Sequence, residues 1–120
     1  VVQFVGWRSD AMDWIAAADL VVHPALCESW CQVLFEALAF TKPVIMTPVG
    51  AAPEVIGNNE RGRLIPPGDS DAIAGAITEL MNDRELGRSL AESGRAYIYH
   101  NMGAERAARN YEELYYSALR

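Results

Sequence analysis

Short runs rich in β-branched and apolar residues alternate along this chain with amphipathic stretches, and few architectures accommodate that order. Residues 1–5 run apolar into Gly6, residues 19–23 end at Pro24, and residues 61–65 lead into Pro66-Pro67-Gly68. Residues 43–46 start on a proline, which costs no ladder donor at the first position of a strand. Each run reads as a short strand. Ser9 or Asp10 can cap a helix that has Met12, Ile15 and Ala16 on one face. Residues 29–40 repeat Val33, Leu34, Ala37 and Leu38 at helical spacing. Pro53 can open a single turn through Ile56, and Asp69 can cap a helix with the stripe Ile73, Ala76, Ile77, Leu80. Two further helices are predicted over about 84–99 and 104–119. Strands alternating with helices indicate an α/β layer fold around a parallel sheet.

Composition narrows the function. Hydrophobic residues make up 51% and charged residues 22%, which fits a foldable chain with a packed core. The formal charge of -6 argues against a nucleic-acid partner and against a polybasic membrane anchor, both of which need a basic surface. No apolar run approaches the roughly 20 residues of a membrane helix. The chain opens on Val1 without a basic-then-apolar leader, so it is expected to be cut or processed from something longer. Two cysteines, Cys27 and Cys31, are too few for a disulfide scaffold, and a reducing cytoplasm is the default expectation.

Ligands of open parallel sheets bind beyond the carboxyl ends of the strands. Three loops fall there: the one after Gly6, residues 24–29 and residues 47–53. The second leads into the stretch that carries chemistry. Glu28 and Glu36 have seven residues between them, and at about 100° per residue, positions eight apart return to nearly the same helix face. If both were helical, their heights would differ by ~12 Å, which suits an extended ligand. The amides of Trp30, Cys31, Gln32 and Val33 would be the unpaired donors of the first helical turn, at the positive end of the dipole. Carboxylates for hydroxyl pairs and amides for phosphate are what a nucleotide sugar requires.

On these residues the chain resembles the retaining GT-B glycosyltransferases of family 4. Glu28-x7-Glu36, Ala37-Leu38-Ala39 and Pro43-Val44-Ile45 are similar to that family's EX7E signature. Phe4-Val5-Gly6, Ala18-Asp19-Leu20-Val21-Val22, Pro53-Glu54-Val55-Ile56, Gly62-Arg63-Leu64-Ile65-Pro66-Pro67-Gly68-Asp69 and the terminal helix with Tyr111-Glu112-Glu113-Leu114-Tyr115 follow in family order. The resemblance implies a Rossmann-like sheet forming the later half of a GT-B C-terminal domain over residues 1–120. The N-terminal acceptor domain and the first half of the nucleotide domain would lie outside the chain. It implies that Glu28 contacts the donor sugar's hydroxyls as the catalytic-site carboxylate, and that Glu36 binds the ribose. Ser29, Trp30, Cys31, Gln32 and Val33 would contact sugar and diphosphate, and Gly6, Trp7 and Arg8 would lie near the base. The donor would be UDP-, GDP- or ADP-linked, with no separate cofactor and no metal. The acceptor would be a sugar, a lipid-linked sugar or another small molecule.

Two departures stand out. The family usually has glycine where this chain has Cys31, and commonly Phe where it has Trp30. It also has glycine before the Lys-Pro step, where Phe40-Thr41-Lys42-Pro43 stands here. Lys42 is the single lysine and Arg8 the one arginine on a predicted site loop, so the cations for a leaving diphosphate are expected outside this chain. The isolated piece is then expected to recognise donor without completing transfer. A non-catalytic nucleotide-binding or interaction module is the alternative. A Rossmann dehydrogenase would need a Gly-x-Gly-x-x-Gly turn, which is absent. The spacing His23-x3-Cys27-x3-Cys31 reads as a loop histidine with two inert thiols, because Pro24 interrupts any helix that would align them. Trp30 reads as a core plug and Glu54 as a capping or donor-site residue. Tyr97, Tyr99, Tyr111, Tyr115 and Tyr116 read as packing residues or contacts to an absent domain. The strand over residues 1–5 is expected to move beside the 20–23 strand, or to leave an apolar edge that a second copy covers. Peripheral membrane contact is expected only through the missing domain.

Overall fold

The computed structural model describes residues 1–120. Three parallel strands, β1 (Val21–His23), β2 (Val44–Met46) and β3 (Arg63–Leu64), form a sheet in the order β1-β2-β3. Val21 faces Val44 in the register, and Ile45 faces Arg63. Around it stand α1 (Ala11–Ala17), α2 (Gln32–Ala39), α3 (Ala52–Ile56), α4 (Ser70–Asn82), α5 (Arg84–Asn101) and α6 (Ala104–Ala118). The predicted α/β parallel layer is therefore present.

β2 is buried along its whole length because helices cover both faces. Val44 and Met46 pack with Leu34, Leu38, Val55 and Ile56 on one side, whereas Ile45 points to the opposite side and packs with Ile65, Leu80 and Leu90. This is the period-2 alternation of a strand, with both phases apolar. Asp69 accepts from the Ala72 amide at 2.8 Å, which is the cap expected for α4. Arg63 grips both oxygens of Glu79 at 2.8 Å and so ties β3 to α4.

Residues 1–5 form no strand and lie exposed, which overturns the strand expected there and its expected move beside β1. A strand exists only through a ladder partner, and no strand pairs with these residues. The tyrosine stripe of α6 is likewise not packed: no residue of α6 is buried, and Tyr111, Tyr115 and Tyr116 are exposed. Tyr97 is partly buried against the core with the Arg61 guanidinium 4.2 Å above its ring, and Arg95 lies 5.4 Å above the exposed Tyr99. No helix is long and apolar enough to cross a membrane.

The end of α2 shows what replaces the expected glycine. The Thr41 amide donates to Leu38 O and the Lys42 amide to Ala37 O, both at 2.9 Å, the two bonds of a Schellman cap. That cap needs a left-handed residue, and Thr41 supplies it at φ 55. A β-branched residue there is strained by roughly 1–2 kcal/mol. Thr41→Gly is therefore expected to raise stability by about 1 kcal/mol in chemical denaturation, despite loss of the exposed Arg95–Thr41 hydrogen bond. A decrease would show that this bond outweighs the strain.

Candidate functional site

The site is built where β1 and β2 end. After His23 the chain runs through an irregular loop to α2, and after Met46 through a second loop to α3. The Thr47 hydroxyl, fully buried, donates to Ala25 O at 2.5 Å, and the Ala51 amide donates to Trp30 O at 3.2 Å. The two loops are thereby stitched together. Gly50, at φ 56, makes the close approach feasible: a Cβ there would lie 3.1 Å from the Trp30 carbonyl carbon and 3.3 Å from Glu28 Cγ.

α2 begins at Gln32, three residues later than the sequence pattern predicts. The reason is Cys31, whose φ of 71 breaks the helical run and makes it the N-cap. Ser29 and Trp30 therefore precede the helix, and the predicted helical rise between Glu28 and Glu36 does not apply. Among the amides proposed for the first turn, those of Gln32 and Val33 remain at its start, while the Leu34 amide returns to Cys31 O at 3.1 Å. The left-handed cap also explains why glycine would suit position 31. Burial pushes the Cys31 thiol above its ordinary range, the Leu34 amide draws it back in part, and the charge of Glu28 raises it further.

Glu28 sits partly exposed in the loop. One of its oxygens accepts from the Ser29 amide at 2.9 Å, and the other lies 3.6 Å from His23 Nε2. Glu36 stands on α2, half-buried, with no ion pair or side-chain hydrogen bond within the chain. It lines an open groove of about 350 Å³ with Met12 of α1, Gln32 and Phe35 of α2, and Tyr99 and Met102 from the end of α5. Glu28 is not among those walls; it groups instead with His23 and Cys31. The two carboxylates thus stand apart, Glu28 in the loop before the cap and Glu36 in the second half of α2, rather than lining one pocket.

Trp30 is half-exposed and stacked on Phe35, with centroids 5.2 Å apart and planes 11° from parallel. This corrects the expected core plug: the loop preceding the cap turns the indole outward, and Phe35 supports it from one turn into α2. In the first loop, Gly6 has φ 66, Trp7 is almost fully exposed, and Arg8 forms a two-point ion pair with Asp10 at 2.6 and 2.7 Å. The guanidinium also lies 4.9 Å from the Trp14 ring centroid. Arg8 is therefore already engaged, and Asp10 spends its carboxylate on that pair rather than on capping α1. Glu54 is exposed in the first turn of α3. A second cleft, of about 300 Å³ beside Lys42, Pro43, Arg84 and Arg88, lies at the opposite, amino end of the strands, where such sheets do not bind their ligands.

His23 and Gly50 were not among the site residues expected from sequence. The His23-x3-Cys27-x3-Cys31 spacing reads as a loop histidine with two inert thiols; in the structure His23 and Cys31 do come together, with Glu28 in place of the exposed Cys27.

A parallel sheet with flanking helices is the architecture of the GT-B glycosyltransferases, and solved structures of that class superimpose on it. The chain belongs to the family described as glycosyl transferases group 1, which matches residues 1–97. N-acetyl-alpha-D-glucosaminyl L-malate synthase of Bacillus anthracis is 35% identical over 119 residues, covering 99% of this chain and 31% of that protein. The lipopolysaccharide core biosynthesis mannosyltransferase LpsB of Rhizobium meliloti is 34% identical over 119 residues, covering 98% of the chain and 34% of its own length. Anabaena Alr3699/HepE in complex with UDP aligns at TM-score 0.86 and 28% identity, over 96% of this chain and 32% of that one; its UDP-glucose complex aligns at 0.82. The chain spans about a third of the length of these relatives.

Proposed function

We propose that this chain supplies the donor-recognition part of a retaining glycosyltransferase that moves a hexose from a nucleotide sugar to an acceptor. In this reading Glu28 holds the sugar hydroxyls and Glu36 holds the ribose diol. The amides at the start of α2 meet the diphosphate, and the Gly6-Trp7-Arg8 loop meets the base. The observation that carries the reading is Glu36: a half-buried carboxylate without a partner in the chain, on the wall of an open groove that runs along α2 from Gln32 to Ala39. An ionised carboxylate in that setting accepts from two adjacent hydroxyls, as a ribose offers. The UDP and UDP-glucose complexes of the similar Anabaena protein support a nucleotide-sugar ligand.

Retention follows in this reading from an orienting rather than attacking role for Glu28. Its hydrogen bond from the Ser29 amide holds the carboxylate beside the strand end. The acceptor proton would pass to the leaving phosphate on the same face. Charge developing on that phosphate needs free cations, and Arg8 is held by Asp10. The 120-residue chain by itself therefore binds donor and does not turn it over; the acceptor domain and the remaining nucleotide half belong to the longer protein.

Titration calorimetry of the chain with UDP-, GDP- and ADP-linked sugars tests this. One of them is expected to bind saturably, and Glu36→Ala to weaken it by about 10-fold to 100-fold, the usual range for losing a hydrogen bond to a charged group. Binding indifferent to Glu36→Ala, or no saturable heat with any of the three, would reject the assignment.

A further inference from the structure

We infer that His23, Glu28 and Cys31 form a binding site for a zinc-class divalent transition metal at the carboxyl end of β1. An imidazole nitrogen, a carboxylate oxygen and a thiol sulfur lie within 4.8 Å of one another. Tetrahedral zinc with bonds of about 2.0–2.3 Å sets its ligand atoms roughly 3.3–3.8 Å apart. His23 Nε2 and Glu28 Oε2 already stand at 3.6 Å. A side-chain adjustment of about 1 Å closes the trio around one ion.

The state of His23 points the same way. Its Nε2 is sealed from solvent and has no hydrogen-bond partner within the chain, although the ring as a whole is about 29% exposed. A buried polar nitrogen without a partner is rare, and a bound ion is one arrangement that satisfies it. The Glu28 carboxylate lies 3.6 Å from this nitrogen.

The donor set selects the metal class. Thiolate with imidazole suits borderline-soft zinc or cobalt, whereas magnesium and calcium want oxygen alone. On binding, the thiol proton passes to solvent as the metal–sulfur bond forms. Three protein ligands leave a fourth position open to water or an anionic oxygen. The preorganisation is local: all three ligands lie between the last residue of β1 and the cap of α2. The left-handed cap fixes Cys31, and the Ser29 amide fixes Glu28. Cys27 is exposed and is not a ligand.

One consequence rests on the donor reading above: a metal held through Glu28 occupies the carboxylate that would receive the sugar, so it competes with donor. Metal binding itself does not depend on that reading.

Cobalt(II) titrated into the reduced chain under anaerobic conditions is the test. A thiolate-to-cobalt charge-transfer band is expected to saturate at one equivalent and to disappear when zinc is added. Cys31→Gly, which suits the left-handed backbone, should abolish it. His23→Gln should weaken cobalt binding at least 10-fold, and Cys27→Ser should leave it unchanged. Circular dichroism verifies that each variant is folded, and His23→Gln decides alone if Cys31→Gly is not. No band in the wild-type chain, a band surviving in folded Cys31→Gly, unchanged affinity in His23→Gln, or a band lost in Cys27→Ser would overturn the site. The titration contains no nucleotide, so its failure leaves the donor assignment standing, and failure of the calorimetric test leaves the metal site standing.

Discussion

Glu28→Gln in the complete enzyme is expected to lower kcat/KM by about 100-fold, equivalent to about 2.7 kcal/mol of transition-state stabilisation. The amide keeps the size of the side chain but loses the charge and one acceptor. Glu28 occupies a loop stitched to its neighbour by the Thr47–Ala25 and Ala51–Trp30 bonds, and Gly50 is packed against its Cγ. Such a position transmits a lost hydrogen bond directly to the ligand, because the loop has little room to adjust. Denaturation of the variant should stay close to wild type, since the carboxylate is partly exposed and its one hydrogen bond is to the adjacent amide. Steady-state kinetics at saturating acceptor measure the effect. Turnover near the wild-type value would remove Glu28 from the reaction.

Leu38→Ala is expected to destabilise the chain by about 3 kcal/mol, within the 2–5 kcal/mol usual for truncating a buried leucine. Against the roughly 5–15 kcal/mol of a whole domain, that is a large share. Leu38 is fully buried in α2 and abuts Gly94 of α5, where a Cβ would fall 2.6 Å from Leu38 Cδ2 and 3.1 Å from Arg61 O. Gly94→Ala alone overpacks that contact at a cost of about 1–3 kcal/mol, offset by about 1 kcal/mol from removing a helical glycine. In the double variant, the new methyl group enters the space Leu38 has vacated. The pair should therefore be more stable than the sum of the singles by at least about 0.5 kcal/mol. Urea denaturation of all four proteins measures this, and simple additivity would refute the contact argument.

The second prediction bears on function because α2 carries Glu36 on its outer face while Leu34, Ala37 and Leu38 anchor its inner face. Anchoring comes from β2, the next element along the chain, and from α5, which is distant in sequence from the carboxylate. The Thr41 cap and the Cys31 cap then fix where α2 starts and ends. Both ends adopt left-handed backbone on residues other than glycine. The helix that positions the candidate site is thus held by packing strongly enough to tolerate strain at each terminus.

Local chemistry was legible from sequence wherever the deciding partner is near in the chain. Asp69 caps α4 through an amide three residues on, and the β2 run is apolar in both phases because two layers cover it. The placement of Glu28 in the loop after β1 and of Glu36 on α2 likewise follows from chain order. What only the tertiary structure decided depends on residues far apart or on backbone state. Residues 1–5 have the composition of a strand and form none, because strand structure needs a neighbour that composition cannot supply. Cys31 stands where the resembled family has glycine, but only the structure shows that its φ is left-handed, which moves the start of α2 and separates Glu28 from the helix. His23 joins Glu28 and Cys31 rather than Cys27 because the turn after β1 folds back on itself, a geometry that equal spacing along a helix does not anticipate.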